Sequence, residues 1–442
     1  MIRSSVNNKL RNFARTLSPT EIEKGFVKKV YSSLQKMLGE EGCIQIGSYP
    51  RYTATTPMHD LDILYVIGNW QENGSLTDPD ALLNDVCKLI RHNYQDFCPD
   101  GYIFTAEVQN HSVVIEFSGA RSLSVDVVPC YSWSRNNYGQ PMYKVPHVIK
   151  ERDRSKRRVH SWDPTDRNQW ISSDPRGYIS QAQEVGNNQD FRKAVKIVKH
   201  WKRTLRELDD SLKLKSFHLE QVITRQFQVD QSIDLIGAIF NFFMELPDLI
   251  ENPNTIEDRA QPGKYIDDYL QGFTVSQKSR IVRARDMILI KLERIDNLSA
   301  EEIFTAGEYF RDPKEQFIFD RGHLSVVDTE HPFDISYDEL DQHENRAARR
   351  ARKKNKLPKK KNLYFKVIDG VENDLKYFWK VQNSKVLADR SKRRGEITPD
   401  QTKNNPENTE YAGEHFVECF GVNILGECVR RARCEVPVGS DE

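Results

Sequence analysis

Two kinds of hydrophobic pattern alternate along this chain, and the places where one gives way to the other outline its architecture. From Ser18 the period is helical: Ile22, Phe26, Val30, Leu34 and Met37 recur three or four positions apart until Gly39 ends the run. Ser18-Pro19-Thr20-Glu21 reads as the start of that helix, with Ser18 as N-cap, Pro19 in the first turn and Glu21 completing a capping box. The period then shortens. Residues 43–46, 60–67, 102–108, 113–117 and 123–128 form apolar runs of strand length, and Asn110-His111 suits a tight turn between the third and fourth. One long helix lying against a mixed sheet is the economical arrangement.

Residues 132–185 are rich in Arg, Asn, Asp, Pro and Gly and read as loops beside that sheet. From about 189 to 310 the helical period returns. Phe191, Val195, Val198 and Trp201 keep it, and the stretch from Ile233 to Met244 is strongly apolar. Strand-like alternation reappears in the last eighty or so residues, in Tyr377-Phe378-Trp379-Lys380-Val381-Gln382-Asn383 and in the run from Tyr411 to Phe420. The predicted fold class is α+β: a sheet core with a long spine helix over residues 1–185, a helical subdomain over 186–325, a basic linker over 326–365, and a small β-rich domain over 366–442. No internal repeat is evident.

Composition narrows the classes. Of 442 residues, 65 are Lys or Arg and 65 Asp or Glu, so no global field attracts nucleic acid. A charged fraction of 29% and a mean hydropathy of −0.68 fit a soluble chain. No apolar run approaches the roughly 18–20 residues of a membrane helix, so no membrane insertion is expected. The start, Met1-Ile2-Arg3-Ser4, lacks a signal peptide's apolar block, and seven scattered cysteines fit reduced thiols; the expected compartment is the cytoplasm. His415, Cys419, Cys428 and Cys434 match no compact zinc spacing. The run from Arg346 to Lys361 holds ten basic residues and no acid. It reads first as a solvated linker and second as a nucleic-acid or phosphate contact.

The residues that carry chemistry lie in the second and fifth strand-like runs. Asp60 and Asp62 are two apart in Asp60-Leu61-Asp62-Ile63-Leu64, so they share one face while Leu61 and Ile63 turn into a core. Adjacent carboxylates repel, and a divalent cation bound through oxygen removes the objection. Asp126, in Ser124-Val125-Asp126-Val127-Val128, adds a third carboxylate. Gly47-Ser48, upstream of Asp60, supplies a close-approach backbone and a hydroxyl of the kind that cradles phosphate.

Gly47-Ser48, eleven residues, Asp60-x-Asp62 and a later strand Asp126 together resemble the DNA polymerase beta-like nucleotidyltransferases. Within them the chain resembles the cyclic GMP–AMP synthase (CD-NTase) and oligoadenylate synthetase branch, over most of residues 18–310. That resemblance implies catalysis by Asp60, Asp62 and Asp126 with two Mg²⁺ ions, for which Mn²⁺ can substitute. It also implies triphosphate contacts from Gly47, Ser48, one or both of Lys199 and Lys202, and Ser216. Lys199 and Lys202 are three apart and share a helix face, and Lys199 ranks first. Tyr131 and the stretch from Ser172 to Arg176 are weaker base-contact candidates.

Three C-terminal blocks resemble the sensor domain attached to bacterial SMODS-type enzymes (AGS-C): Trp379-Lys380-Val381-x-Asn383, Arg394-Gly395-x-Ile397, and Tyr411-x-Gly413-x-His415-x-Val417-Glu418-Cys419. Ser384 stands where Arg or Gly is expected. These resemblances imply a template-independent enzyme making a cyclic or linear second messenger from NTPs in anti-phage defence, read by a separately encoded effector. One alternative is Hailong-type synthesis of single-stranded DNA oligomers from dNTPs, for which Ser440 is the candidate primer hydroxyl. Another is a non-catalytic nucleotide sensor, against which all three carboxylates stand. A tRNA nucleotidyltransferase or poly(A) polymerase would carry a basic RNA-binding domain, and the balanced charge argues against one.

Overall fold

The computed structural model describes residues 2–148, 168–339, 356–383, 390–399 and 406–439. Two helices open the chain: Ile2–Thr16 (α1), which sequence patterning did not place, and Glu21–Leu38 (α2). The cap of α2 is Thr20 rather than Ser18. Its side chain accepts from the Glu23 amide, and the Glu23 carboxylate returns to the Thr20 amide at 2.7 Å. Ser18 instead donates back to the Ala14 carbonyl at 3.2 Å, closing α1. Glu23 also accepts from the Met58 amide at 2.9 Å, so one capping carboxylate ties α2 to the loop ahead of the carboxylate strand. Phe26, Val27, Val30, Leu34 and Leu38 are buried against the sheet; Ile22, predicted on that face, is exposed.

The sheet consists of Cys43–Ile46 (β1), Asp60–Asn69 (β2), Ile103–Val108 (β3), Val113–Ser118 (β4), Leu123–Arg135 (β5), Pro141–Val148 (β6) and Asn168–Ser173 (β7). The order is β1-β2-β5-β4-β3, with β6 paired to the far end of β5 and β7 to β6. β2 and β5 run parallel in a register that sets Asp62 opposite Asp126; the other pairs are antiparallel. Pro79–Asn93 (α3) joins α2 in covering the core that holds Leu61, Ile63, Ile115, Val125 and Val127. Residues 132–185, expected as loops, carry the end of β5, β6, β7 and the helix Pro175–Val185 (α4). Their polar composition hid a real alternation: Tyr143 and Val145 of β6 are buried beneath polar neighbours.

The helical half comprises Gln189–Leu208 (α5), Ser216–Val229 (α6), Leu235–Glu251 (α7), Val275–Leu292 (α8) and Ala300–Phe304 (α9). Trp201, Phe191, Phe227, Phe242, Phe243 and Phe304 form its core with Leu10 and Phe13 of α1. The first helix of the chain therefore packs into a core whose other members lie some two hundred residues later.

The C-terminal part contains Leu324–Ser325 (β8), Asp334–Glu339 (β9), Asn362–Asp369 (β10), Lys376–Gln382 (β11), Ile397–Thr398 (β12), Glu407–Asn408 (β13), Gly413–Val422 (β14) and Glu427–Val438 (β15). A three-stranded sheet, β13-β10-β9, stacks on a five-stranded one, β12-β11-β14-β15-β8, over Phe365, Trp379, Val417 and Val436. The stretch expected as linker carries β9 and the start of β10. Of the basic run, 346–355 lie outside the described residues, whereas Leu357 is buried and Lys356 pairs with Glu414 at 2.9 Å. Ser440 also lies outside them. No described helix is long and apolar enough to cross a membrane.

Candidate functional site

An open cleft, with about 2060 Å³ of empty space counting its mouth, separates the sheet from the helical half. On the sheet wall the alternation predicted for β2 holds: Leu61 and Ile63 are buried, while Asp60 and Asp62 line the cleft. The turn from Gly47 to Thr53 folds beside them. Gly47 adopts φ +74°, and a Cβ there would lie 1.8 Å from Asp62 Oδ2, so only glycine lets the backbone pass this close to the carboxylate. The Thr53 amide closes the turn on the Ser48 carbonyl at 3.0 Å, leaving Ser48 on the cleft wall.

Asp126 faces Asp62 in register, and its Oδ1 accepts from the Ser112 hydroxyl at 2.6 Å. Burial first, then the charges of Asp60 and Asp126, push Asp62 up to about 7; burial likewise raises Asp126, against the Ser112 hydrogen bond. The three carboxylates do not close into a ready cage: among the described residues no group of three or more Asp, Glu, His or Cys side chains is gathered in metal-holding geometry. Their chemistry nonetheless fits a divalent cation. The donors are hard oxygens, they stand on adjacent strands, and their mutual repulsion is what a cation would relieve.

Across the cleft, α5 and α6 supply the cations, and the two predicted lysines prove to have different surroundings. Lys199 Nζ donates to Glu220 Oε2 at 2.8 Å and to the Thr53 carbonyl at 3.1 Å. Glu220, fully buried, also accepts from Arg51 Nε at 2.6 Å and from the Thr53 hydroxyl at 3.0 Å. Burial alone would raise the Glu220 carboxyl, but Lys199 and Arg51 outweigh it and hold it at about 2. Burial pulls Lys199 below the usual lysine range, with Glu220 pulling against it. Lys199 therefore pins the Gly47–Thr53 turn onto the helical half. Lys202, one turn on, is the more available of the two: its Nζ donates to Ser216 Oγ at 3.0 Å, at the first residue of α6. Lys202, Ser216 and the amides of that helix start form a corner of the same cleft that Asp60 and Asp62 line, with N–H donors and one cation in it.

Sequence reasoning missed Arg51, Thr53, Glu220 and Ser112. The signal for the first two was their place three and five residues after Ser48 in a turn already singled out. Glu220 follows Ser216 by one helical turn and differs from a solvated glutamate only in being buried, which the sequence does not display. Arg203 and Arg206 add further positive charge to the cleft lining. Of the weaker base-contact candidates, Tyr131 is buried among Trp70 and Trp170 away from the cleft, whereas Ser172, Ser173 and Asp174 line its far wall.

Residues 313–439 match the family model of the adenylyl/guanylyl and SMODS C-terminal sensor domain. No curated protein matches the chain. Among solved structures, E. coli MS115-1 CdnC with ATP shares 17% identity at a TM-score of 0.48, covering 69% of this chain and 99% of that one. The Bradyrhizobium diazoefficiens CD-NTase CdnG in complex with GTP shares 11% at 0.46, covering 68% and 96%. The Elizabethkingia meningoseptica CdnE cyclic dinucleotide synthase with GTP and Apcpp shares 18% at 0.39, covering 56% and 85%.

Proposed function

We propose that this chain is a template-independent nucleotidyltransferase that joins NTPs into a nucleotide second messenger in anti-phage defence, with residues 1–325 forming the enzyme and the C-terminal part its sensor. The observation that carries this reading is the opposition across one cleft of an aspartate pair, Asp60 and Asp62, to the corner of Lys202 and Ser216. One wall suits the α-phosphate and the other the departing phosphates.

In the proposed reaction Ser48, Lys202, Ser216 and the α6 amides hold the triphosphate tail and orient the α-phosphorus toward the carboxylates. A ribose hydroxyl oxygen forms the new bond to that phosphorus as the bond to the bridging oxygen breaks and pyrophosphate leaves. Asp126, oriented by Ser112, takes the hydroxyl proton. Asp60, Asp62 and Asp126 would hold divalent cations, Mg²⁺ or Mn²⁺, which when bound supply positive charge to the attacking and leaving oxygens. The Glu220 network keeps the Gly47–Thr53 turn against α5 and so fixes the distance between the two walls. The product would act on a separately encoded effector.

The test is product analysis by mass spectrometry with Mg²⁺, supplying all four NTPs and, separately, all four dNTPs, with Asp60→Asn/Asp62→Asn as the blank. A small phosphatase-resistant product lost in the variant supports a cyclic messenger synthase. Long oligomers from dNTPs, or nucleotide mass on the protein lost with Ser440→Ala, transfer the assignment to primed DNA-oligomer synthesis. Binding of NTP and metal without product in any condition would leave a sensor.

A further inference from the structure

We propose that the pocket between the two C-terminal sheets is a binding site for a neutral, planar heterocycle of nucleobase or nucleoside size. This site is separate from the catalytic cleft and does not rest on the reaction proposed above. The pocket lies between β10 and β13 of one sheet and β11, β14 and β15 of the other, with about 550 Å³ of empty space counting its mouth. Its floor is apolar and partly aromatic: Leu363, Phe365, Val381, Val417 and Val436. Segments 384–389 and 400–405 lie outside the described residues and form no part of the site.

The rim decides the class of ligand. Among the described lining residues Arg394 is the only Lys or Arg, and it is already joined to Glu407 through both of its terminal nitrogens. Glu410 adds a second carboxylate, so the described residues of the rim offer no spare positive charge to a polyphosphate. His415 bonds the Tyr411 carbonyl through Nε2 at 2.8 Å, and burial lowers the pKa of its ring. What remains for a ligand is neutral hydrogen bonding. Asn408 spends one amide hydrogen on Asn362 Oδ1 at 3.1 Å and keeps a carbonyl oxygen, while the Tyr411 hydroxyl makes no hydrogen bond among the described residues. An apolar slot with a few neutral donors and acceptors at its edge suits a flat ring with a polar perimeter and opposes a triphosphate.

The strands that floor the pocket also dock on the helical half. Val381 and Val417 turn into the pocket, while their neighbours Lys380 and Glu418 turn to the opposite face. There Glu418 accepts from Arg431 at 2.6 Å, and Arg431 lies 3.5 Å from Glu293 at the end of α8. An occupant of the pocket would thus press on the same two strands that carry the contact to the helical half.

The experiment is calorimetric titration of the full chain carrying Asp60→Asn/Asp62→Asn with adenosine, guanosine, cytidine, uridine and thymidine, and with ATP in parallel. The expected result is micromolar binding of at least one nucleoside. Tyr411→Phe, a rim change that leaves the floor packed, should weaken it roughly three- to tenfold, and Lys202→Ala in the cleft should leave it unchanged. Hydrogen exchange in the presence of that nucleoside should slow in β10 and β14. Failure of all five nucleosides to bind overturns the proposal. So does nucleoside binding that Tyr411→Phe does not touch, which places the ligand outside this pocket. ATP binding at the rim more tightly than its nucleoside would overturn the neutral class. Catalytic product formation is a separate readout, so loss of either reading leaves the other standing.

Discussion

Replacing Glu220 by glutamine keeps the shape of a fully buried carboxylate in the cleft and removes its charge. In the native chain that carboxylate takes Arg51 Nε at 2.6 Å, Lys199 Nζ at 2.8 Å and the Thr53 hydroxyl at 3.0 Å, with its side chain fully buried. A neutral amide would leave two nearly buried cations facing each other, and breaking such a pair costs about 3–5 kcal/mol. The carboxyl itself gives a matching figure: a drop from 4.5 to about 2 corresponds to about 3 kcal/mol of preference for the ionised form in the folded state. Because the folded value is depressed, this contribution is complete above pH 4.5 and is lost as pH falls from there toward 2. Scanning calorimetry at pH 7 should therefore show Glu220→Gln melting several degrees lower, with the gap to wild type closing below pH 4.5. Thr53 also closes the Ser48 turn, so nucleotide incorporation should fall along with stability. A variant that melts within a degree of wild type at pH 7, or a gap that widens on acidification, would refute the assignment of Glu220 as the shared anion of this network.

Gly47→Ala should cost about 1–2 kcal/mol of stability from its positive φ, yet abolish product formation because the new methyl displaces the Asp62 carboxylate; a variant keeping half its activity contradicts this. Lys202→Met should raise the KM for NTP roughly tenfold while thermal unfolding stays unchanged, whereas Lys199→Met should lower stability as well, and steady-state kinetics beside melting curves separates the two. Arg431→Met removes the guanidinium shared by Glu418 and Glu293, leaving Lys380 as the cation beside them, and should destabilise docking of the C-terminal sheet by about 1–3 kcal/mol. Adding Glu418→Met should recover part of that loss, and chemical denaturation of the single and double variants reads both.

The carboxylate strand was legible because its information is local. Asp60 and Asp62 share a face by the two-residue period of a strand, and the apolar residues between them can only turn inward, as Leu61 and Ile63 do. The same logic located α2, β1 and the C-terminal strands β11 and β14. It failed where local signals compete. Ser18 and Thr20 are both acceptable caps, and the choice fell to Thr20 because Glu23, three residues after it, could also reach Met58. The polar stretch from 132 onward hid two strands because edge pairing needs only an alternate buried residue, such as Tyr143 or Val145, beneath a charged exterior.

The sequence by itself determined which residues could do chemistry: the glycine-serine turn, the three aspartates, and a pair of lysines on one helix face. The turn and the aspartates follow from side-chain type and short-range period, whereas the lysines are what the family resemblance implies. Only the tertiary structure decided what each does, because burial and partners come from segments far apart in the chain. Lys199 and Lys202 share one helix face, and the sequence reading ranks Lys199 first. The fold sets one against a buried glutamate and a turn some 150 residues earlier, and leaves the other with a serine at a helix start. Gly47 is required by an Asp62 carboxylate that folding brings against it, and the C-terminal pocket exists only because β10 and β14 stack in opposing sheets.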